Sequence, residues 1–523
     1  MTRDINYKIK MNNGVEIPQF GLGVYLTKSG TECVNAVMWA LEAGYRRIDT
    51  AKAYHNEKEV GEAVRDSGIK REEIFITTKL WNNDHGYESV LKAFDKSLKT
   101  LNTDYASKHG GSKKIDYLEK YPELVVMWAG YAFSKEYNQG RGHGHAIEDI
   151  RNILRTGDNE NSPMPATCWT CKSTDVPRVM NEIGAANFYK KKWTDLGSEI
   201  VNPIGCQDCH DPKTMNLRIT RPALIEAYQR QGKDIKSFSR QEMRSLVCAQ
   251  CHVEYYFKGK EEKYLTFPWD KGFSADDMEA YFDEIEFSDW THALSRAPML
   301  KAQHPDFELF MTGIHAIRGV SCSDCHMPYK SEGGVKYTDH HIQSPLNNIA
   351  NTCQVCHREE TDRLMQDVYD RQDRIEEIRR IAEKTLAAAH IEAKVAWDNG
   401  ATEEQMKPVL KLIRHSQWRW DWVAAANALG FHAPVEALRV LGTSIQKGEQ
   451  ARREIAVLFS KNGWKYPVDM PDISTKEKAQ KYIGLDIPKL EKAKQEFLNT
   501  TVVKWDEEAK QRQGFLYEYK QKN

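Results

Sequence analysis

Cys168-Trp169-Thr170-Cys171-Lys172 decides how this chain is read, because four later stretches repeat its spacing with one change at the end. The pairs Cys206 and Cys209, Cys248 and Cys251, Cys322 and Cys325, and Cys353 and Cys356 are followed directly by His210, His252, His326 and His357, where the first pair has Lys172. Two cysteines so spaced can form thioether bonds to the two vinyl groups of one haem, and the next residue then lies under the iron as proximal ligand. With 11 Cys and 17 His in 523 residues, chance placement gives about 0.01 C-x-x-C-H matches, so four are not accidental. Zinc ribbons also use C-x-x-C pairs, but they do not call for His directly after the second cysteine. The motifs therefore read as five c-type haem sites, crowded closely enough to pass electrons rapidly.

An electron-transfer haem needs a second axial ligand, usually His. Residues 106–523 hold 15 His, four of them proximal, so the supply is ample. The haem over Lys172 is the exception and the expected place for chemistry. Lys must bind iron as the neutral amine, its pKa pushed down by the iron and by burial. The plainer alternative makes Lys172 a surface residue, with a His ligand recruited from elsewhere.

Composition sets the outer bounds. Apolar content of 40% with 28% charged residues describes a soluble globular chain long enough for two or more domains. A formal net charge of -1 gives no case for nucleic-acid binding, and no apolar run approaches the roughly 18 residues of a membrane span. Ten of the cysteines sit in the five pairs, which leaves Cys33 to read as a buried helix residue.

Residues 1–105 have a different rhythm. Strands are expected near Gln19–Tyr25, Arg46–Thr50 and Ile74–Lys79, and helices near Thr31–Ala43, Glu57–Asp66 and Tyr87–Leu101, after a hairpin over Tyr7–Ile17. Gly44 stands where a helix end needs positive φ. Strand then helix, three times, begins a parallel β/α fold.

Within this segment, Ile48-Asp49-Thr50-Ala51 with Tyr54 and Asn56-Glu57, then Thr78-Lys79-Leu80-Trp81, resembles the opening third of an aldo-keto reductase. The resemblance implies a general-acid Tyr54 with Asp49 and Lys79 lowering its pKa. It stops at about Tyr105, where the fourth strand and its His are due, and no nicotinamide-binding segment follows. Three βα units cannot close an eight-unit barrel, so the segment is an incomplete TIM-barrel fragment whose last strand has an open edge.

Ala106 opens a second region, with Gly110-Gly111-Ser112 as a flexible junction. Residues 106–358 carry all five motifs. From 130 onward they are turn-rich with little sustained periodicity, a pattern for which haems can supply much of the core. Residues 359–523 are helical. Leu364, Val368, Ile375, Ile378, Ala382 and Leu386 keep helical spacing from Glu359 to about Asp398, where Asn399-Gly400 ends the run. Thr402 with Gln405 and Ser474 with Glu477 are capping-box patterns, and a third long helix runs from about Pro434 to Lys461. Such helices pack either on one another or on a second subunit.

Residues 106–523 are similar, nearly end to end, to pentahaem cytochrome c nitrite reductase, a mostly α multihaem cytochrome. The resemblance rests on one C-x-x-C-K ahead of four C-x-x-C-H motifs, and on Leu154-Arg155-Thr156-Gly157, Val253-Glu254-Tyr255-Tyr256-Phe257, Lys301-Ala302-Gln303-His304-Pro305 and Gln417-Trp418-Arg419-Trp420-Asp421. It implies a distal pocket of Arg155, Tyr255 and His304 over the haem of Lys172, where nitrite is reduced to ammonium by six electrons. Arg155 and His304 would hold the anion, while His304 and Tyr255 would relay protons.

The resemblance also implies calcium bound by the side chains of Glu254 and Gln303 and the carbonyls of Tyr255 and Lys301, all oxygen donors. Read without it, Glu254 is an ordinary surface acid. Distal haem ligands carry over as His143, His315, His340 and His432, with His145 and His341 adjacent to two of them. His109, His292, His390 and His415 remain unassigned. A quinol dehydrogenase or a small multihaem cytochrome is the expected electron donor, a homodimer the expected assembly, and the periplasm the expected location.

The N-terminus departs from that pattern. Met1-Thr2-Arg3-Asp4-Ile5-Asn6 lacks the basic-then-apolar form of an export signal, so the chain expressed as written is expected to stay cytoplasmic and without haem. A gene fusion or a faulty gene assembly accounts for the junction, and the artefact is favoured. Two other functions compete with nitrite reduction: a purely electron-carrying multihaem cytochrome, and an NADPH-dependent reductase built on the N-terminal segment.

Overall fold

The computed structural model describes residues 5, 7–11, 14–79, 114–158, 162, 164–332, 334–514 and 516. The chain divides into two compact units, Met1–His109 with His326–Gln343, and Gly110–Cys325 with Ser344–Asn523.

In the first unit, strands Leu22–Gly23, Arg47–Asp49 and Phe75–Thr77 form a parallel sheet in that order, with Ile48 paired to Leu22 on one side and Ile76 on the other. Helices Thr31–Glu42 and Glu57–Asp66 supply the crossovers, and their Val37, Leu41, Val60 and Val64 pack with Val24, Cys33, Ile48 and Ile74. Cys33 is fully buried there. Gly44, at φ +94°, follows the first helix and ends it in the left-handed region. The strands are shorter than the apolar runs that announce them, because pairing extends only where neighbouring strands overlap. Two antiparallel hairpins, Lys8–Lys10 with Glu16–Pro18 and Tyr329–Glu332 with Val335–Thr338, complete the described part of this unit. The helix expected near 87–101, Leu80 and Trp81, the start of a fourth strand at Tyr105, and the Gly110-Gly111-Ser112 junction lie outside the described residues.

The second unit is helical. Helices Thr361–Asp398, Glu403–Ala424 and Pro434–Asn462 pack against one another. Gly448 shows why they can approach so closely, since a Cβ there would stand 2.8 Å from Thr385 and 3.0 Å from Ser416 Oγ. Ser416 Oγ donates to Ser444 O and Ser444 Oγ to Ser416 O, both at 2.7 Å, so each buried hydroxyl is satisfied by the facing helix. Thr402 caps the second helix by accepting from Gln405 N. The cap expected at Ser474 shifts by one residue: Thr475 caps Lys476–Tyr482, because Ser474 Oγ donates instead to Asp472 at 2.7 Å.

One expectation for residues 130–358 is corrected. Helices Val176–Ile183, Pro222–Arg230, Arg240–Ala249 and Ala275–Glu284 occupy the stretch that shows so little periodicity, each too short to repeat a pattern more than two or three times. The core of this unit includes Trp128, Trp169, Trp193, Trp269, Trp418, Trp420 and Trp422, all fully buried. Past the three long helices, Ile487–Phe497 and Val503–Gln513 fold back onto residues 151–200. Arg151 pairs with Asp506 at 2.8 Å and lies over the Trp505 ring, while Gly197 leaves the indole room that a Cβ would take.

Candidate functional site

Each paired-cysteine motif folds as a single tight turn. His210 N, His252 N and His357 N donate to the carbonyls of Cys206, Cys248 and Cys353 at 2.9, 2.9 and 2.8 Å, and Cys322–His326 is helical. In the first motif Lys172, half-buried, donates through its backbone N to Trp169 O at 2.9 Å, and the buried Trp169 indole donates to Trp193 O at 2.8 Å. One helical turn brings residues three apart to the same side, which is what two thioethers to one ring require.

None of the eleven cysteines is in a disulfide. Cys171 lies close to Cys251, and Cys248 to Cys322, so the first, third and fourth motifs gather at one place. Eight of the ten paired cysteines are half-buried, among them Cys209 and Cys325, whose pKa values burial raises to about 12. Cys206 and Cys356 differ, since both are exposed. The turn of Cys356, Cys353–Val355, leads into a stretch in which residues 355–360 are all exposed, ahead of the first long helix.

Two imidazoles on one iron, each nitrogen about 2 Å from the metal and each ring centre about 1.2 Å behind its nitrogen, would have ring centres about 6.4 Å apart. His143 and His252 ring centres are 6.1 Å apart, and those of His315 and His357 are 6.3 Å apart. The residues present therefore fit haem at these two motifs, the exposed one of Cys353 and Cys356 included. His145, beside His143, is turned to Glu148 at 3.1 Å. His432 lies against the Phe310 ring, with its backbone carbonyl close under Gly313, where a Cβ would collide with it. His340 sits after the second hairpin, Nδ1 on Thr338 O at 2.9 Å, and His341 N donates to Asp339 at 3.1 Å. The unassigned histidines have structural partners: His292 stacks on His390, and His415 meets Asp283 at 2.7 Å. His109 lies outside the described residues.

Three side chains gather near the motif that ends in Lys172. Arg155, on the turn Leu154–Thr156, lies 4.1 Å from the Phe133 ring centre and within electrostatic reach of Cys168 and Tyr255. Burial lowers its pKa, the cost of holding a guanidinium away from water. Burial raises the Tyr255 phenol well above its usual value, and the nearby Cys171 and Cys168 thiols add to this. His304 is pushed down to about 3 by burial first and then by the charge of Lys172, and its buried Nδ1 has no hydrogen-bond partner. Near neutral pH the group is thus a cation, a protonated phenol and a neutral imidazole.

Glu254 is no surface acid. It is fully buried, burial holds its pKa well above the carboxylate range, and it accepts from Gln303 N at 2.6 Å through Oε2, while Oε1 is buried without a partner. The Gln303 amide reaches Lys301 O at 3.4 Å, which draws three of the four expected calcium ligands together. An orphaned carboxylate oxygen among neutral oxygen donors suits a hard cation. Among the described residues no cluster of three or more His, Cys, Asp or Glu forms a metal site, so this set relies on amide and carbonyl oxygens.

The shelf beneath these donors has no counterpart in the sequence reading. Lys301 Nζ donates to both Asp421 oxygens at 2.9 and 2.8 Å, Ala302 N donates to Asp421 at 2.7 Å, and Lys301 N donates to Asp289 at 2.8 Å. Burial raises Asp421 to about 6 and Asp289 to about 7, with Lys301 opposing the rise in both. One signal is available: Asp421 closes the Gln417–Asp421 stretch, to which the sequence assigns no role residue by residue.

In the first unit, Lys79 Nζ contacts the Asp49 carboxylate, lies 3.4 Å from Tyr54 Oη and donates to Thr50 O at 3.0 Å. The hydrogen bond to Asp49 raises the Lys79 pKa. The sheet thus brings Asp49, Tyr54 and Lys79 together.

A sequence model described as cytochrome c552 matches residues 82–517, and one of the aldo/keto reductase family matches residues 20–107. A cytochrome c-552 of Parabacteroides distasonis is 62% identical over 82% of this chain and 87% of its own, and one of Bacteroides fragilis is 57% identical over 89% and 92%. A solved cytochrome c nitrite reductase from Desulfovibrio desulfuricans, described as a catalytic subunit with two calcium sites, superposes with TM-score 0.64 at 32% identity. The match covers 76% of this chain and 89% of that one.

Proposed function

The chain belongs to the cytochrome c552 family, and on that premise we propose that it reduces nitrite to ammonium at the haem attached through Cys168 and Cys171. The observation that carries this reading is the gathering of Arg155, Tyr255 and His304 beside the one attachment motif that ends in Lys rather than His. The similar structure from Desulfovibrio desulfuricans, a nitrite reductase by name, supports it.

Haem held over Lys172 would supply the binding position for nitrite nitrogen and the electrons. Everything else falls to the side chains. Arg155, already desolvated, presents a positive charge to an anion without having to shed water on its arrival. His304, neutral because buried, donates through its one N–H to a nitrite oxygen. Tyr255, with its pKa raised, keeps its proton across neutral pH and can lend it as nitrogen–oxygen bonds break. Nitrite takes up six electrons and eight protons to give ammonium and two waters. The four other motifs, with His143, His315, His340 and His432 as the proposed distal ligands, would hold the haems that supply electrons one at a time.

Calcium at Glu254, Tyr255, Lys301 and Gln303 belongs to the proposal, because it would fix Tyr255 and His304 through their neighbours in the chain. A homodimer is supported by apolar side chains on the outer faces of the long helices, Val435 at 83% exposure and Ile381 at 46%. The periplasm and a quinol dehydrogenase or small multihaem cytochrome as donor complete the reading, since haem attachment belongs outside the bacterial cytoplasm. In fully haem-loaded protein, a high-spin haem signal that shifts on adding nitrite, with six electrons consumed per ammonium formed, is the expected result. Absence of that signal would favour the electron carrier.

A further inference from the structure

The haem-binding histidines differ in what holds their other nitrogen. His210 Nδ1 meets Met215 O at 2.8 Å, and His326 Nδ1 meets Gln343 O at 2.9 Å, both neutral carbonyls. The acid nearest His357 is the exposed Glu359, at 3.8 Å, where water screens it. His252 instead faces the carboxylate of Asp306 at 3.4 Å, and Asp306 is buried.

That carboxylate is held in place from other directions. Asn427 N donates to its Oδ1 at 2.8 Å and Asn427 Nδ2 to its Oδ2 at 2.6 Å. Among the described residues no Lys or Arg pairs with it, so its charge is offset by amides and imidazole alone. The backbone repeats the connection, since Phe307 N donates to His252 O at 3.1 Å and Asp306 N to His304 O at 2.7 Å. One short turn, His304 to Phe307, thus presents a pocket residue at one end and grips the third motif's histidine at the other.

We propose that Asp306 is a positioning residue that orients His252 through Nδ1 and lowers the midpoint potential of the haem on Cys248 and Cys251 relative to a carbonyl-partnered site. A carboxylate acceptor gives imidazole partial imidazolate character, and a stronger donor favours ferric over ferrous iron. A fixed negative charge in a buried setting acts in the same direction. The inference rests on the reading of His252 as an axial haem ligand.

The test is a potentiometric titration of the holoenzyme, followed haem by haem by electron paramagnetic resonance and visible absorption. In Asp306→Asn, one low-spin haem, the one with His143 and His252 as axial ligands, becomes easier to reduce by about tenfold in its reduced-to-oxidised ratio, which is 59 mV for one electron. Asp306→Glu restores most of that shift. Glu359→Gln leaves all five midpoints in place, as an exposed acid should. Asn427→Ala, which releases the carboxylate without removing it, moves the same haem in the same direction by less. Unchanged midpoints in both Asp306→Asn and Asn427→Ala, or a shift in a different haem, would overturn the proposal. Loss of haem from both variants would overturn it too, because a residue that tunes a bound haem is not needed to attach it. Nitrite turnover by the wild-type enzyme tests the functional reading separately, since it does not depend on which haem moves.

Discussion

His292 and His390 lie face to face in the protein interior, ring centres 3.7 Å apart and planes 17° apart. His292 Nδ1 accepts from Leu294 N and Ser295 N, so its proton sits on Nε2 and is donated to Val126 O at 2.9 Å. His390 Nε2 meets Gln417 Oε1 at 2.8 Å while Gln417 Nε2 donates to Met127 O, which fixes the second tautomer as well. His390 Nδ1 meets Ser295 Oγ at 2.9 Å, so all four ring nitrogens of the neutral pair have partners. Burial pushes His390 down to about 4, and burial with the neighbouring ring pushes His292 well below its usual value.

The sign of the pH effect follows from those shifts. Between about 6.5 and about 4 the unfolded chain binds protons at these positions that the folded chain does not, so stability falls as pH drops through that window. Thermal melts from pH 7 to pH 4 are expected to show this loss, and His390→Gln should flatten the slope. An unchanged slope in the variant would mean that the acid sensitivity lies elsewhere.

Gly197 and Trp505 give a packing prediction. A methyl at Gly197 would overlap the indole, so Gly197→Ala is expected to destabilise by about 1–3 kcal/mol, as overpacked cores do. Gly197→Ala in a Trp505→Ala background should cost much less than alone. Additive losses in the double variant would contradict the contact.

For the pocket, His304→Asn in fully loaded enzyme is expected to lower kcat roughly 10²–10⁴-fold, the usual span for losing a proton-transfer group. Arg155→Ala should act more on KM for nitrite, since its charge serves the bound anion. Haem stoichiometry measured alongside separates a catalytic effect from failed assembly.

Removing calcium with a chelator is expected to lower turnover, and calcium should restore it. In Glu254→Gln the calcium needed for half-restoration should rise at least about tenfold, because the one carboxylate of the set is gone. Full activity in chelator would leave the buried, unpartnered Glu254 oxygen to be explained otherwise.

Asp49, Tyr54 and Lys79 meet as a reductase would need, yet among the described residues the unit has three parallel strands where a closed barrel has eight. The purified protein is expected to show no NADPH-dependent carbonyl reduction. Turnover that disappears in Tyr54→Phe would reverse that view.

Legibility in the sequence follows the range of the interaction concerned. Local devices can be read directly. Glu57–Asp66 declares itself by periodicity, Gly44 by its left-handed φ, and Thr402 by its reciprocal bond with Gln405. Ser474 misleads because a nearer acceptor, Asp472, competes for its hydroxyl, and two adjacent hydroxyl residues cannot be ranked without that contact. Glu254 looks like a solvated acid because burial is imposed by segments far along the chain, Gln303 and Glu308 among them. The Lys301–Asp421 pair spans 120 residues and carries no spacing to recognise. The haem motifs are plain because covalent chemistry imposes short, fixed spacing. That spacing is silent on burial, so Cys209 and Cys356 read alike although only Cys356 is exposed. Arg155, Tyr255 and His304 can be named only by likeness to a family.

The close approach at Gly313 links two of the proposed ligands in inheritance. Any side chain there would have to displace the backbone carbonyl of His432, and His315 follows only two positions later. A lineage cannot lengthen, shorten or re-aim one of these loops while the other stays as it is. The ligands His315 and His432 are therefore expected to drift together or not at all, with glycine between them as the condition of their joint history.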